Sequence, residues 1–136
     1  MDTTLRDGEQ TSGMSFSSSE KLAISKLLIE ELKVDRIEIA SARVSDGEFE
    51  AVKKITDWAK ENNYLEKIEI LTFLDNNISL NWLDKSGAKV QNLLTKGSLN
   101  HLKYQIKKKP KEYFNLVKEC IENALKLGIS SNVYLE

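Results

Sequence analysis

The residues of this chain best suited to chemistry stand side by side near its start, at Arg6 and Asp7. They follow a short segment that we interpret as a strand, and Gly8 behind them permits a sharp turn of the backbone. An aspartate at such a position can ligate a divalent cation, and an adjacent arginine can stabilise negative charge that develops on a substrate oxygen. Asp-Gly is also a common turn dipeptide, so the spacing alone leaves a purely structural turn equally open.

The only histidine, His101, is a second candidate. Imidazole titrates near neutral pH and can move protons or bind metals, but a lone histidine is more often structural. Its type and position alone therefore do not assign it a role.

These candidates need a scaffold, and the apolar pattern predicts one built from alternating strands and helices. Short runs rich in Ile, Val and Leu alternate with longer amphipathic stretches, as is typical of parallel strands joined by crossover helices. The predicted strands are Asp2 to Leu5, Arg36 to Ser41, Ile68 to Leu74, Lys89 to Thr95 and Asn132 to Glu136. Polar residues follow several of these strands directly, which favours a shared site at their C-terminal ends.

The predicted helices have recognisable ends. The first opens with Ser17, Ser18 or Ser19 as its N-cap and runs to about Leu32. The others cover Glu48 to Glu61, Ile78 to Ser86 before Gly87, and Pro110 to the stop at Gly128. Trp58 and Trp82 are interpreted as packing residues, and Cys120 as a core residue on the apolar face of the last helix.

The pattern amounts to four βα units and a fifth strand, which we interpret as one partial domain over residues 1–136. A closed (β/α)8 barrel needs typically about 250 residues. The predicted fold class is therefore α/β, the N-terminal half of a TIM barrel, and we expect the chain to be a fragment. Two open sheet edges would then invite pairing with another copy.

Composition narrows the function classes. With 20 basic and 21 acidic residues the net charge is −1, so no global field favours nucleic acid or an anionic membrane. The basic run around Lys107 to Lys109 is interpreted as a solvated connection rather than an anion site. One cysteine excludes an internal disulfide and a cysteine-based metal site, which fits a reducing cytoplasm. The chain has no stretch of about 18 apolar residues, so the sequence predicts no membrane-spanning helix.

The motifs resemble those of a known family. The run from Asp2 to Ser17, together with the segments Ile37 to Arg43, Gly87 to Lys103 and Asn132 to Glu136, is similar to the DRE-TIM metallolyases. Within them it resembles most the branch of 2-isopropylmalate and citramalate synthases. The resemblance implies roles for eight residues: Asp7 as a metal ligand, Arg6 as the catalytic arginine, His101 and Glu136 as further catalytic residues, and Gln10, Leu71, Leu94 and Tyr134 as substrate-binding residues.

The same resemblance implies a reaction. Acetyl-CoA would condense with a 2-oxoacid, assisted by Mg²⁺, Mn²⁺ or Zn²⁺, in a cytoplasmic, homodimeric enzyme of branched-chain amino-acid biosynthesis. Long side chains at the three apolar positions favour pyruvate, giving citramalate, over 2-oxoisovalerate. Because the chain has one histidine, it cannot supply the family's histidine pair, and we expect these residues alone to be inactive. The later barrel strands and the regulatory domain of the family would be absent.

Three alternatives remain open from the sequence. The first is a 2-isopropylmalate synthase that uses 2-oxoisovalerate. The second is the lyase branch of the same family, which breaks a carbon–carbon bond. The third belongs to another class, a non-catalytic half-barrel that stands alone and self-associates through its open edges.

Overall fold

A sheet of four parallel strands, arranged in chain order, forms the centre of the molecule. The computed structural model describes residues 1–136. The strands are β1 (Ile37–Ser41), β2 (Ile68–Phe73), β3 (Val90–Thr95) and β4 (Ser130–Leu135). A parallel sheet in which each strand lies next to its successor, with helices in the connections, is the architecture of a sector of a βα barrel.

The connecting helices begin and end at residues suited to those positions. They are α1 (Ser18–Lys26), which continues through a wider turn at Leu27–Glu31, α2 (Asp46–Glu61), α3 (Ile78–Ser86) and α4 (Pro110–Lys126). Ser17 caps α1 in a capping box with Glu20, and Ser45 caps α2. Gly87 ends α3 at φ +86°, a conformation that glycine adopts without strain. Short helical segments lie at Gly8–Gln10, Leu65–Lys67 and His101–Ile106.

The main core lies between the sheet and the helices. Ile37, Ile68 and Ile70 point from the strands toward the helices and are almost fully buried. They belong to one apolar cluster with residues of the helices, among them Val52, Ile55, Leu80 and Leu83. The opposite face of the sheet carries mixed side chains, among them Asn92, Leu94 and Tyr134, so the continuous apolar core lies on the helix side only.

The predicted first strand is wrong. Asp2 makes a single parallel bridge to Ile37, donating its N–H to the Arg36 carbonyl and accepting from Glu38 N–H, each over 2.9 Å. The Thr3 carbonyl then accepts the N–H groups of Arg6, Asp7 and Gly8, which turns the chain away from the sheet. The Thr3 carbonyl, which a strand would use for pairing, therefore accepts hydrogen bonds within a turn instead.

The other predicted elements are confirmed within a few residues. The last strand starts at Ser130 rather than Asn132 and ends at Leu135 rather than Glu136. Both tryptophans pack as predicted: Trp82 lies edge-on to Phe49 with ring centroids 5.2 Å apart, and Trp58 contacts Tyr64 at 5.6 Å. Cys120 is buried, and none of the helices has the length and apolar character needed to span a membrane.

Candidate active site

Arg6 is held in place by a carboxylate that is fully buried. Its Nε donates to Glu38 Oε2 over 2.5 Å, while its terminal Nη1 donates to Asp7 Oδ1 over 2.8 Å. The Glu38 side chain has no exposed surface, and that of Arg6 is 18% exposed. The guanidinium is thus anchored at its inner side and open to solvent at its outer side, as a group that contacts a substrate must be.

Glu38 is itself part of a chain of hydrogen bonds across the inner face of the sheet. The Asn92 side chain donates to Glu38 Oε1 over 2.6 Å, and the Asn132 side chain donates to Asn92 Oδ1 over 2.9 Å. Glu38 lies on β1 and Asn92 on β3, so their side chains meet above the intervening strand β2. This contact requires the sheet to curve, with this face on its concave side, as the inside of a barrel does.

A second group of candidates lies at the ends of β3 and β4. Glu136 accepts a hydrogen bond from Lys96 Nζ, and the His101 ring Nδ1 lies 3.3 Å from the Glu136 carbonyl oxygen. The hydrogen bond and charge of Lys96 lower the pKa of Glu136, so this carboxyl is ionised at neutral pH. No hydrogen bond or ion pair joins this group to Arg6 and Asp7.

The three predicted pocket residues all lie on the concave face, but they do not lie at the same level along the strands. Leu94 and Tyr134 are register partners on β3 and β4, and Phe73 on β2 is the third member of that row. Leu71 pairs with Asn92 and so lies one row closer to the N-terminal ends of the strands. Phe73, which the sequence analysis missed, is therefore closer in register to Leu94 than Leu71 is. Its position two residues after Leu71 was the available signal.

Tyr134 links the pocket row to the charged residues. Burial, followed by the charges of Glu38 and Glu69, raises the pKa of Tyr134, and the charges of Arg36 and Arg6 act in the opposite direction. The phenol is therefore protonated at neutral pH, and its OH donates to Met1 Sδ over 2.9 Å. The start of the chain thus crosses the concave face and reaches β4.

Gln10 lies in an open cleft beside Arg6. The cleft has a volume of about 340 Å³ and is lined also by Glu9, Ser41 and Glu48. Gln10 is exposed and makes no side-chain hydrogen bond, so it is free to contact a molecule bound beside the guanidinium.

Comparison with known proteins decides the family. The HMGL-like family model matches residues 1–136, the whole chain. This chain belongs to the HMGL-like family. The 2-isopropylmalate synthase of Pyrococcus abyssi is 35% identical over 132 residues, and the (R)-citramalate synthase of Methanocaldococcus jannaschii is 36% identical over 128 residues. These alignments cover 92% and 94% of this chain but 25% of each relative, so the chain spans about a quarter of their length.

A solved structure supports the same fold. The crystal structure of Bacillus subtilis HMG-CoA lyase matches with a TM-score of 0.66 at 21% identity, covering 98% of this chain and 44% of that chain. The predicted α/β half-barrel is thereby confirmed. The resemblance to the synthase branch is confirmed at the level of the family and its named relatives.

A metal site of the kind that the resemblance implies is not complete within this HMGL-like chain. Asp7 is its predicted ligand, and its side chain is 59% exposed with one oxygen bound to Arg6. No group of three or more His, Cys, Asp or Glu side chains is close enough to hold a metal ion. Since divalent cations such as Mg²⁺ take about six ligands, Asp7 could supply one of them, but the residues of this chain do not complete the site.

Several residues that shape the site were not found from the sequence. Glu38, Asn92 and Asn132 form the buried network, and Lys96 pairs with Glu136. A glutamate between isoleucines in a strand buried on both faces was the available signal, because a charge there needs a partner. Arg43, which follows β1, does not join the Arg6 group but pairs with Asp75 at 2.9 Å.

Proposed function

We propose that this chain forms part of an enzyme that condenses acetyl-CoA with a 2-oxoacid, and that pyruvate is the preferred oxoacid. The observation that carries the proposal is the Arg6 guanidinium, fixed by the buried Glu38 and open to the cleft on its outer side. The names of the relatives, 2-isopropylmalate synthase and citramalate synthase, support this class of reaction.

Arg6 is proposed to carry the charge that forms during the reaction. When an acetyl carbon attacks the ketone of an oxoacid, the carbonyl oxygen becomes negative, and a preoriented guanidinium stabilises that charge more in the transition state than in the ground state. Glu38 fixes one edge of the guanidinium, so little reorganisation is needed when the charge develops. Gln10 is proposed to contact the bound substrate at the opposite, solvent-facing edge, where it lines the cleft with Arg6.

Asp7 is proposed to be one carboxylate donor to a divalent cation, whose other ligands would be residues other than those of this chain. The cation would supply polarisation of the oxoacid carbonyl when bound. Glu136 and His101 are proposed to act at the far side of the pocket, where Lys96 keeps the Glu136 carboxylate charged. The enzyme is further proposed to be a cytoplasmic homodimer that acts in branched-chain amino-acid biosynthesis.

The choice of oxoacid is proposed to depend on the apolar residues of the concave face. Leu94 and Tyr134 lie side by side, and Leu71 extends the apolar surface inward. A surface filled by these long side chains leaves room for the methyl group of pyruvate and opposes the branched chain of 2-oxoisovalerate. The alternative, 2-isopropylmalate synthase, is favoured by the names of several relatives.

The test is condensation by the gene product as it is encoded. Acetyl-CoA is supplied with pyruvate or with 2-oxoisovalerate, and the product is identified by its mass while release of CoA gives the rate. We expect pyruvate to be preferred. We expect Leu94→Ala to shift the preference toward 2-oxoisovalerate by about 10- to 200-fold, the range for apolar pocket changes. Leu125→Ala, an exposed change on α4, is the matched control.

A wild-type preference for 2-oxoisovalerate would show that the alternative substrate, not pyruvate, is the preferred oxoacid. Failure to condense either oxoacid would refute the proposed function. The Arg6 role is tested by Arg6→Lys, for which we expect kcat to fall by about 100- to 1000-fold, the usual loss for one oxyanion donor.

A further inference from the structure

Lys21 is a lysine of helix α1 that solvent does not reach. Its side chain is 1% exposed, although lysines on amphipathic helices normally extend into water. Its ammonium group lies 2.6 Å from Glu9 Oε2 and 2.6 Å from Glu48 Oε1, and it donates to the Leu5 carbonyl over 3.4 Å. A buried ammonium is stable only with such partners, and here all three of its protons have an acceptor.

The acceptors lie on both sides of the Arg6–Asp7 pair. Leu5 directly precedes the pair, and Glu9 follows it by two residues. Glu9 uses its other carboxylate oxygen to accept the Phe16 N–H over 2.9 Å, which closes the following loop. One ammonium group therefore binds both ends of the segment that carries the pair, and through Glu48 it joins that segment to the first turn of α2.

Leu5 packs in the apolar core, but no other hydrogen bond joins residues 5–9 to α1 or α2. The Thr3 carbonyl shapes the turn, and Glu38 holds the Arg6 side chain, but neither contacts residues 9–16. The Asp7 side chain has no hydrogen-bond or ion-pair partner except Arg6. Without the ammonium, the Glu9 and Glu48 carboxylates would face each other at 22% and 15% exposure and repel.

We propose that Lys21 is a positioning residue, which sets the place of Arg6 and Asp7 for the reaction by clamping both ends of their loop to α1 and α2. Its kinetic consequence rests on the proposed function, whereas its effect on the loop does not.

The first measurement is amide hydrogen exchange in the chain carrying Lys21→Met. We expect the Arg6, Asp7 and Gly8 amides, which donate to Thr3, to exchange about tenfold faster, since local opening is governed by local contacts. Amides of β2 should keep their wild-type rates. The matched control is Lys60→Met, an exposed lysine of α2 without a side-chain partner, which should change neither set.

The second measurement separates positioning from stability. In the gene product as encoded, we expect Lys21→Met to lower kcat by about 100-fold, the effect of a misplaced catalytic group, while KM for acetyl-CoA stays within about twofold. A triple variant, Lys21→Met with Glu9→Gln and Glu48→Gln, removes every charge of the cluster. Such neutral replacement of a buried ionic group commonly restores stability, and we expect it to leave kcat low.

The inference is overturned if the three amides keep their wild-type exchange in Lys21→Met, or if the triple variant regains both its melting temperature and its kcat. A wild-type protein that condenses no oxoacid would refute the proposed function instead. The exchange measurement would then decide alone whether Lys21 positions the loop.

Discussion

Replacing Arg6 should lower the free energy of unfolding more than removing the charge of its partner, Glu38. Arg6→Met leaves the Glu38 carboxylate fully buried with Asn92 as its remaining partner. Breaking a buried ion pair from one side costs about 3 to 5 kcal/mol, and because Arg6 is 18% exposed, water can enter and the lower end, about 3 kcal/mol, is expected.

Glu38→Gln should be milder. A glutamine has nearly the same shape and can still accept the hydrogen bond from Asn92, while Arg6 can turn toward Asp7 and solvent. We expect a loss of about 1.5 to 2 kcal/mol, the lower part of the range for one hydrogen bond to a charged group. The double variant removes both charges together, so it should be close to Glu38→Gln alone, giving a coupling free energy of about 3 kcal/mol, the whole cost of Arg6→Met.

Urea unfolding at pH 7, followed by circular dichroism, measures all four free energies of unfolding. A loss of 3 kcal/mol is large against the total of roughly 5 to 15 kcal/mol for a domain, so it is readily resolved. If Arg6→Met costs no more than Glu38→Gln, or if the two changes simply add, the reasoning that Arg6 neutralises a buried carboxylate is refuted.

Two further predictions follow from carboxyl groups with shifted pKa values. Burial raises the pKa of Asp75, but the hydrogen bonds from the Ser79 hydroxyl and N–H, together with Arg43, outweigh it and lower the pKa overall. The resulting stability is present above the ordinary aspartate pKa of about 3.9 and is lost as the pH falls through the lowered value. In thermal unfolding measured at a series of acidic pH values, Ser79→Ala should therefore lose less stability than the wild type as the pH falls. The pKa of Glu136 is lowered by Lys96, so Lys96→Met should raise it toward the ordinary value in a carboxyl ¹³C NMR titration, and an unchanged pKa would contradict the ion pair.

Much of the fold could be predicted because its signals are local. The bounds of α3 match the prediction, since Gly87 ends that helix by its own backbone preference. Ser17 caps α1 as expected, because a capping box needs only residues three apart. The first strand failed for a local reason too: the Asp2 side chain accepts the Thr4 N–H over 2.9 Å, which favours a turn over continued pairing.

The candidate site was predictable only in part. Arg6 and Asp7 were visible because they are adjacent, and His101 because it is unique. Phe73 and Lys96 were not, because their relevance depends on which residues of other strands they face. The register between strands determines which residues are neighbours, and a single sequence does not specify that register.

By itself the sequence determined the alternation of strands and helices, the chemical types at the strand ends and the family, because these depend on residues close together in the chain. Only the tertiary structure decided that Glu38 on β1 meets Asn92 on β3 and that Lys21 joins Glu9 to Glu48. These contacts join residues up to 54 positions apart. The physical reason is that a buried charge must find its partner in space, and sheet curvature and helix packing determine which partner is within reach.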